Sequence, residues 1–122
     1  MTLESDVSIL VPTYRYAHLI EEAVHSALNS GTGEIIVSDD ASNDGTMERL
    51  AAITDPRLKL VEQPKNLGLW RHHQAVLEMA SKPWVKFLQA DDRLTPGALE
   101  RMVRYASPEV SLVWSNPTFM FL

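Results

Sequence analysis

Two pairs of adjacent carboxylates are the residues most able to do chemistry in this 122-residue chain. "IIVSDDASNDGT" carries Asp39 and Asp40 directly behind an apolar run, with Asp44 following. "WVKFLQADDRLTP" repeats the arrangement at Asp91 and Asp92. Neighbouring carboxylates repel unless a cation or hydrogen-bond donors lie among them. Hard divalent cations take oxygen ligands. Mg²⁺ or Mn²⁺ is commonly held by one or two protein carboxylates, with water and substrate phosphate completing the shell. Turn chemistry is the competing account, because Asp also favours turns and helix N-termini. "SNDG" is a strong turn signal, and Asp44 suits a helix cap. One carboxylate satisfies a cap, so Asp39 and Asp40 exceed what the turn requires. Buried at a strand end, they need donors. A base N–H and a ribose hydroxyl would supply them, as at the strand-end acids of dinucleotide folds.

Residues this placed need a scaffold, and the hydrophobic pattern provides one. Apolar runs at 7–11, 34–38, 58–61, 84–88 and 110–114 read as five strands, the first stopped by Pro12. Leu19, Ile20, Ala23, Val24, Ala27 and Leu28 mark an amphipathic helix ending near Ser30-Gly31. A short helical pattern covers 47–53, and a longer one covers 69–80. In "TPGALERMVRYA", Thr95 is the expected N-cap and Pro96 the first helical residue, with Leu99, Met102, Val103 and Ala106 as the buried stripe. Strand–helix alternation with near-continuous apolar strands predicts a mostly parallel sheet with helices on both faces. This is an α/β, Rossmann-like unit whose ligands sit at the carboxyl ends of the strands.

Four polar segments fall at those ends: "PTYRY", "DDASNDGT", "PKNLGLWRHH" and "QADDRLTP". Together they predict one composite cleft. Gly68 allows close approach of a ligand to the backbone. Lys65 and Arg71 are candidate phosphate partners, although a solvated surface residue is the commoner case. His72 and His73 are adjacent on a helix and point in different directions, so they cannot share a metal as an i, i+4 pair can. His25 reads as a packing or surface residue. Trp70, Trp84 and Trp114 read as core.

Composition removes several classes. A net charge of −5 without a basic stripe argues against nucleic acid as a partner. The chain has no cysteine, which excludes disulfides and thiolate metal sites. Neither G-x-G-x-x-G nor G-x-x-x-x-G-K-[ST] occurs, and no nucleophile elbow supports Ser-His-Asp catalysis. No stretch approaches the roughly 18 apolar residues of a membrane span. A cytoplasmic setting is expected. An acidic cleft would repel a diphosphate unless a divalent cation came with it, so the charges argue for a metal–diphosphate ligand. The apolar ending "VSLVWSNPTFMFL" suggests a single domain over 1–122, truncated, whose continuation or a second copy would cover that edge.

"VSILVPTYRYAHLIEEAVHSAL", "EIIVSDDASNDGT", "NLGLWRHHQAV" and "FLQADDRLTPGALERM" resemble the successive motifs of the family 2 glycosyltransferases with the GT-A fold. No single motif is decisive, but four in order are specific. The resemblance implies a nucleotide-sugar-binding portion of an inverting, metal-dependent enzyme. Its donor would be a nucleoside-diphosphate sugar, UDP-linked for choice, and its acceptor a saccharide, lipid or protein. Carried over by position, Pro12, Thr13, Tyr14, Asn66 and Gly68 would line the nucleotide pocket. Asp40 would read the base with Asp39 supporting it, and Asp91 would lie near ribose and sugar. Asp92 would hold the Mn²⁺ or Mg²⁺.

Two positions depart from the family pattern. Gln89 stands where the first acid of D-x-D-D is common, and His73-Gln74 where Arg-Asn is frequent. The acid that deprotonates the acceptor is expected beyond Leu122, so no catalytic residue is assigned within the chain, and attachment at a membrane surface would come from further sequence. The rival readings are a non-catalytic nucleotide-sugar-binding module and a nucleotidyltransferase. The latter lacks its Gly-rich loop here, and a receiver-type signalling domain lacks its late strand-end Lys.

Overall fold

The computed structural model of the chain describes residues 1–117; the apolar end at 118–122 lies outside the described residues. After a single-turn helix at Glu4–Asp6 the order is β1 (Val7–Thr13), α1 (Ile20–Leu28), β2 (Glu34–Asp39), α2 (Thr46–Ala51), β3 (Leu58–Glu62), α3 (Leu69–Met79), β4 (Trp84–Phe87) and α4 (Ala98–Val103). The four strands form one sheet in the order β3-β2-β1-β4, and every pairing is parallel. This is the α/β, Rossmann-like arrangement that the alternating pattern predicts.

β1 and β2 are buried along their whole length because helices cover both faces. Side chains alternate along a strand, and the packing follows that alternation. Val7, Ile9 and Val11 of β1 join Ile35 and Val37 of β2 in a core with Ile20, Ala23, Val24 and Ala27 of α1, Leu50 of α2, and Leu99 and Val103 of α4. On the opposite face, Leu10 and Ile36 pack with Val76 of α3, with Phe87 and Met79 against them. The same alternation governs the two acids at the end of β2. Asp39 continues the α1 face, and Asp40 continues the α3 face.

Four expectations need correction. Pro12 does not stop β1, which runs to Thr13. Leu10 O accepts from Leu88 N, so the alternate residue Pro12 also turns its missing N–H toward β4, which has already ended at Phe87. α4 begins at Ala98 behind Gly97, whose φ is 75°, not at Thr95 and Pro96; Thr95 O accepts the turn hydrogen bond from Ala98 N. Residues 110–114 form no strand: Leu112 and Trp114 are about three-quarters exposed. Trp70 is exposed as well, at 81%, and of the three tryptophans only Trp84 packs against the core.

Candidate functional site

The carboxyl ends of the strands open into one cleft of about 470 Å³, a size suited to a small-molecule ligand. It draws on all four polar segments: Pro12, Thr13, Tyr14 and Tyr16 after β1, Asp40 after β2, Asn66 and Gly68 with His72 and His73 from the β3–α3 passage, and Gln89, Ala90 and Asp91 after β4. Asp39 and Asp92 are not among its lining residues.

Asp39 and Asp40 are both buried, at 1% and 2% exposure, yet they do different things. Asp39 closes the turn behind it: its carboxylate accepts from Ser42 N at 2.9 Å and from the Ser42 hydroxyl. Asp40 reaches over the other face. Its Oδ1 accepts from Leu67 N at 2.8 Å and its Oδ2 from Gly68 N at 3.1 Å, while Asn66 Nδ2 donates to Asp40 O. The donors that a buried carboxylate needs therefore come from the "NLG" segment. Asp40 ties that loop to the strand end and still keeps lone pairs on both oxygens.

Gly68, at φ 82°, sits immediately ahead of α3 and leaves open space where a Cβ would stand. The helix that follows carries His72, which the sequence suggests only as half of an unsuited metal pair. His72 is only 3% exposed, and its Nε2 lies 2.9 Å from Ser38 Oγ on the inner face of β2. Burial holds the imidazole's pKa below its usual 6.5, against the pull of the nearby Asp40 carboxylate. The signal available in the sequence was spacing. His72 and Val76 stand i, i+4 on α3, so His72 shares the core-facing stripe of its helix.

His73 faces the cleft from the next position. Its ring stacks on Phe87 at 5.2 Å between centroids, its Nδ1 meets Leu69 O at 2.8 Å, and Gln89 Nε2 lies 3.2 Å from its Nε2. The two positions that depart from the family pattern thus touch each other across the cleft. Lys65 and Arg71 are exposed and line no part of it.

Asp44 does not cap α2, whose N-cap is Gly45 with no side-chain capping bond; it closes the turn that leads into the helix. Its carboxylate accepts from Thr46 N and Oγ1 at 3.2 and 2.6 Å, and from Ala17 N at 3.4 Å. Burial raises its pKa, and the hydrogen bonds from Thr46, Ala17 and its own backbone together outweigh that and lower it. Asp91 and Asp92 are exposed, and their carboxylates have no hydrogen-bond or ion-pair partner among the described residues. Among those residues no three His, Cys, Asp or Glu side chains gather into a ready-made metal cage. Two free neighbouring carboxylates nonetheless fit a hard divalent ion that takes the rest of its shell from water and phosphate.

A parallel α/β sheet with a polar cleft at its carboxyl edge defines the class of nucleotide-binding folds. The sequence profile described as glycosyl transferase family 2 matches residues 8–119, and the chain belongs to that family. It is 37% identical over 103 residues to the succinoglycan biosynthesis protein ExoO of Rhizobium meliloti (strain 1021), covering 83% of this chain and 30% of that protein. It is 30% identical over 117 residues to the Escherichia coli enzyme WfgD, named as a UDP-Glc:alpha-D-GlcNAc-diphosphoundecaprenol beta-1,3-glucosyltransferase, covering 94% of this chain and 44% of that one. The chain therefore spans less than half the length of these relatives. Among solved structures it superposes on the mannosyltransferase PcManGT of Pyrobaculum calidifontis, in complex with GDP-Man and Mn²⁺, with a TM-score of 0.75. The two are 31% identical, and the match covers 89% of this chain and 34% of that one. The fold is that of the GT-A glycosyltransferases.

Proposed function

We propose that residues 1–122 form the donor-binding part of a glycosyltransferase that moves a sugar from a nucleoside-diphosphate sugar, UDP-linked by preference, to a saccharide, lipid or protein acceptor. The observation that carries this reading is the single cleft lined from every strand end, with Asp40 anchored inside it and the free carboxylate of Asp91 at its other end. In this reading Pro12, Thr13, Tyr14, Asn66 and Gly68 enclose the nucleoside, and Asp40 accepts from the base. Asp39 holds the turn that presents Asp40. Asp91 accepts from ribose or sugar hydroxyls.

Asp92, beside Asp91, would hold Mn²⁺ or Mg²⁺. When bound, the ion supplies positive charge to the leaving diphosphate. No residue of this chain is proposed as the base that deprotonates the acceptor; a single inverting displacement would take it from the remainder of a longer protein. Among the described residues no helix is long and apolar enough to cross a membrane. The name of one relative specifies a diphosphoundecaprenol acceptor, which favours work in the cytoplasm or at a membrane surface.

Calorimetry with UDP, GDP and dTDP, each with and without Mn²⁺, tests the proposal. UDP should bind most tightly, and only with the metal. Asp92→Ala should remove the metal dependence, whereas Asp40→Ala should lose base preference first. Failure of all three diphosphates to bind a folded sample would overturn the reading. Identical behaviour of the two variants would overturn the division of labour between them.

A further inference from the structure

Ser38 is fully buried, so its hydroxyl proton needs an acceptor. Two groups meet its Oγ: Gln63 Nε2 at 3.2 Å and His72 Nε2 at 2.9 Å. An amide nitrogen can only donate, so Gln63 fills a lone pair and the Ser38 O–H points to His72. With Nε2 assigned as that acceptor, neutral His72 carries its hydrogen on Nδ1, the ring also meeting the backbone of Ser38. Burial favours that neutral form. His72 lines the cleft with Asp40, and its Nδ1 has no partner among the described residues. Thr13 lines the same cleft, and its buried Oγ1 is likewise without a partner there. The inside of the cleft thus offers polar groups that the fold itself does not use.

We propose that His72 is a specificity-determining residue of this cleft, its Nδ1–H donating to a carbonyl oxygen of a nucleobase whose adjacent ring N–H meets Asp40. The inference rests on the nucleotide-binding reading above and narrows it to a chemical class of base. A donor beside an acceptor complements an edge with a carbonyl beside a ring N–H. Uracil and thymine present that edge at N3–H, and guanine presents it at N1–H. Adenine and cytosine present the reverse, an unprotonated ring nitrogen beside an amino group. On them the ring lone pair would face the Asp40 carboxylate, and the amino hydrogens would face the imidazole N–H. Lone pair against lone pair and donor against donor leave buried polar groups unpaired, which is how sites reject close analogues.

The experiment compares UDP with CDP, and GDP with ADP, by calorimetry on the 122-residue chain with Mn²⁺ present. Each pair tests one ring type with the same diphosphate. The native chain should prefer UDP to CDP by about tenfold or more. In His72→Gln the side-chain amide reaches the position of Nε2, keeping the tie to Ser38 while removing the Nδ1 donor. The UDP:CDP ratio should then fall toward one. In His72→Asn the amide stands at the position of Nδ1, and the ratio should be retained even where the variant melts earlier. A ratio taken within one variant cancels any loss of folded protein, so a merely structural role would leave it unmoved. An unchanged ratio in His72→Gln, or CDP binding as tightly as UDP to the native chain, would overturn the inference while leaving nucleotide binding intact. Absence of binding by every diphosphate would overturn the nucleotide reading along with it.

Discussion

Where the strands begin, most polar groups are consumed in holding the fold; where they end, several are held out for use. At the amino edge Thr32 Oγ1 donates to Val7 O at 2.6 Å, and Arg57 spans Thr32 O, Leu28 O and the Asp55 carboxylate. Glu34 accepts from the Ser81 hydroxyl there and pairs with Lys59, both through Oε2, while its Oε1 is buried without a partner among the described residues. At the carboxyl edge Asp91 and Asp92 are unpaired among the described residues, and Thr13 Oγ1 is buried without a partner. Backbone strain divides the same way. The left-handed position at the amino edge is filled by Gly31, at φ 86°. At the carboxyl edge Gly45, Gly68 and Gly97 fill three such positions, but Arg15, Ala41 and Asn43 hold φ of 62°, 60° and 53° with side chains attached. Strain retained next to a binding cleft, where glycine would relieve it, is a pattern of functional sites.

The largest expected effect breaks the amino edge. A Cβ added at Gly33 would overlap Ser5 O, a backbone atom that cannot rotate away, and would crowd Lys82 Cε at 3.1 Å. Gly33→Ala should cost about 3 kcal/mol of stability, the upper end for overpacking. Denaturant unfolding checks the loss. Where the variant still folds, its preference among nucleoside diphosphates should match that of the native chain, because the disturbed edge is the one without a cleft. An altered preference would mean that the two edges are coupled.

A second, graded effect comes from the carboxyl edge and is read against pH. Burial depresses the pKa of His72 in the fold, with the neighbouring Asp40 opposing that shift. The unfolded chain therefore binds a proton near the usual 6.5 that the folded chain resists binding. Stability from this residue is complete above that pH and is lost as the pH falls through it. Other groups titrate in the same range, so the informative quantity is the difference between the native chain and His72→Gln. From pH 7.5 to pH 5 the native chain should lose more of its denaturant midpoint than the variant. Parallel losses would show that His72 is no more constrained than an exposed histidine.

Why parts of this arrangement were legible in the sequence, and others not, follows from the range over which each is determined. β1 and β2 are buried on both faces and read as unbroken apolar runs, while α1 reads from the recurrence of Ala23, Val24 and Ala27. Those patterns are local. The extension of β1 through Pro12 depends on β4 being shorter, a fact about the neighbouring strand. Residues 110–114 have strand composition, but a strand also needs a partner, and no pairing forms there among the described residues. At the site, two adjacent acids could be recognised as exceeding the needs of a turn. Their separation onto opposite faces needed the phase of β2, and the loop amides that Asp40 holds lie 27 and 28 positions away. His72 was hidden for the same reason: its partner Ser38 is 34 residues distant.

The smallest predicted effect is the sharpest test of the contrast in strain. Ala41 follows Asp40 directly and holds a left-handed conformation that costs an L side chain about 1 kcal/mol. Glycine removes that cost but adds freedom to the unfolded chain, worth roughly half as much or more in the opposite direction. The two terms leave a net gain of at most about 0.5 kcal/mol for Ala41→Gly, read as a rise in the denaturant midpoint at constant slope. Most Ala→Gly changes destabilise, so the sign alone is diagnostic. A loss of stability would show that the turn after Asp40 is relaxed. In that case the two edges would differ only in their polar groups and not in the backbone that carries them.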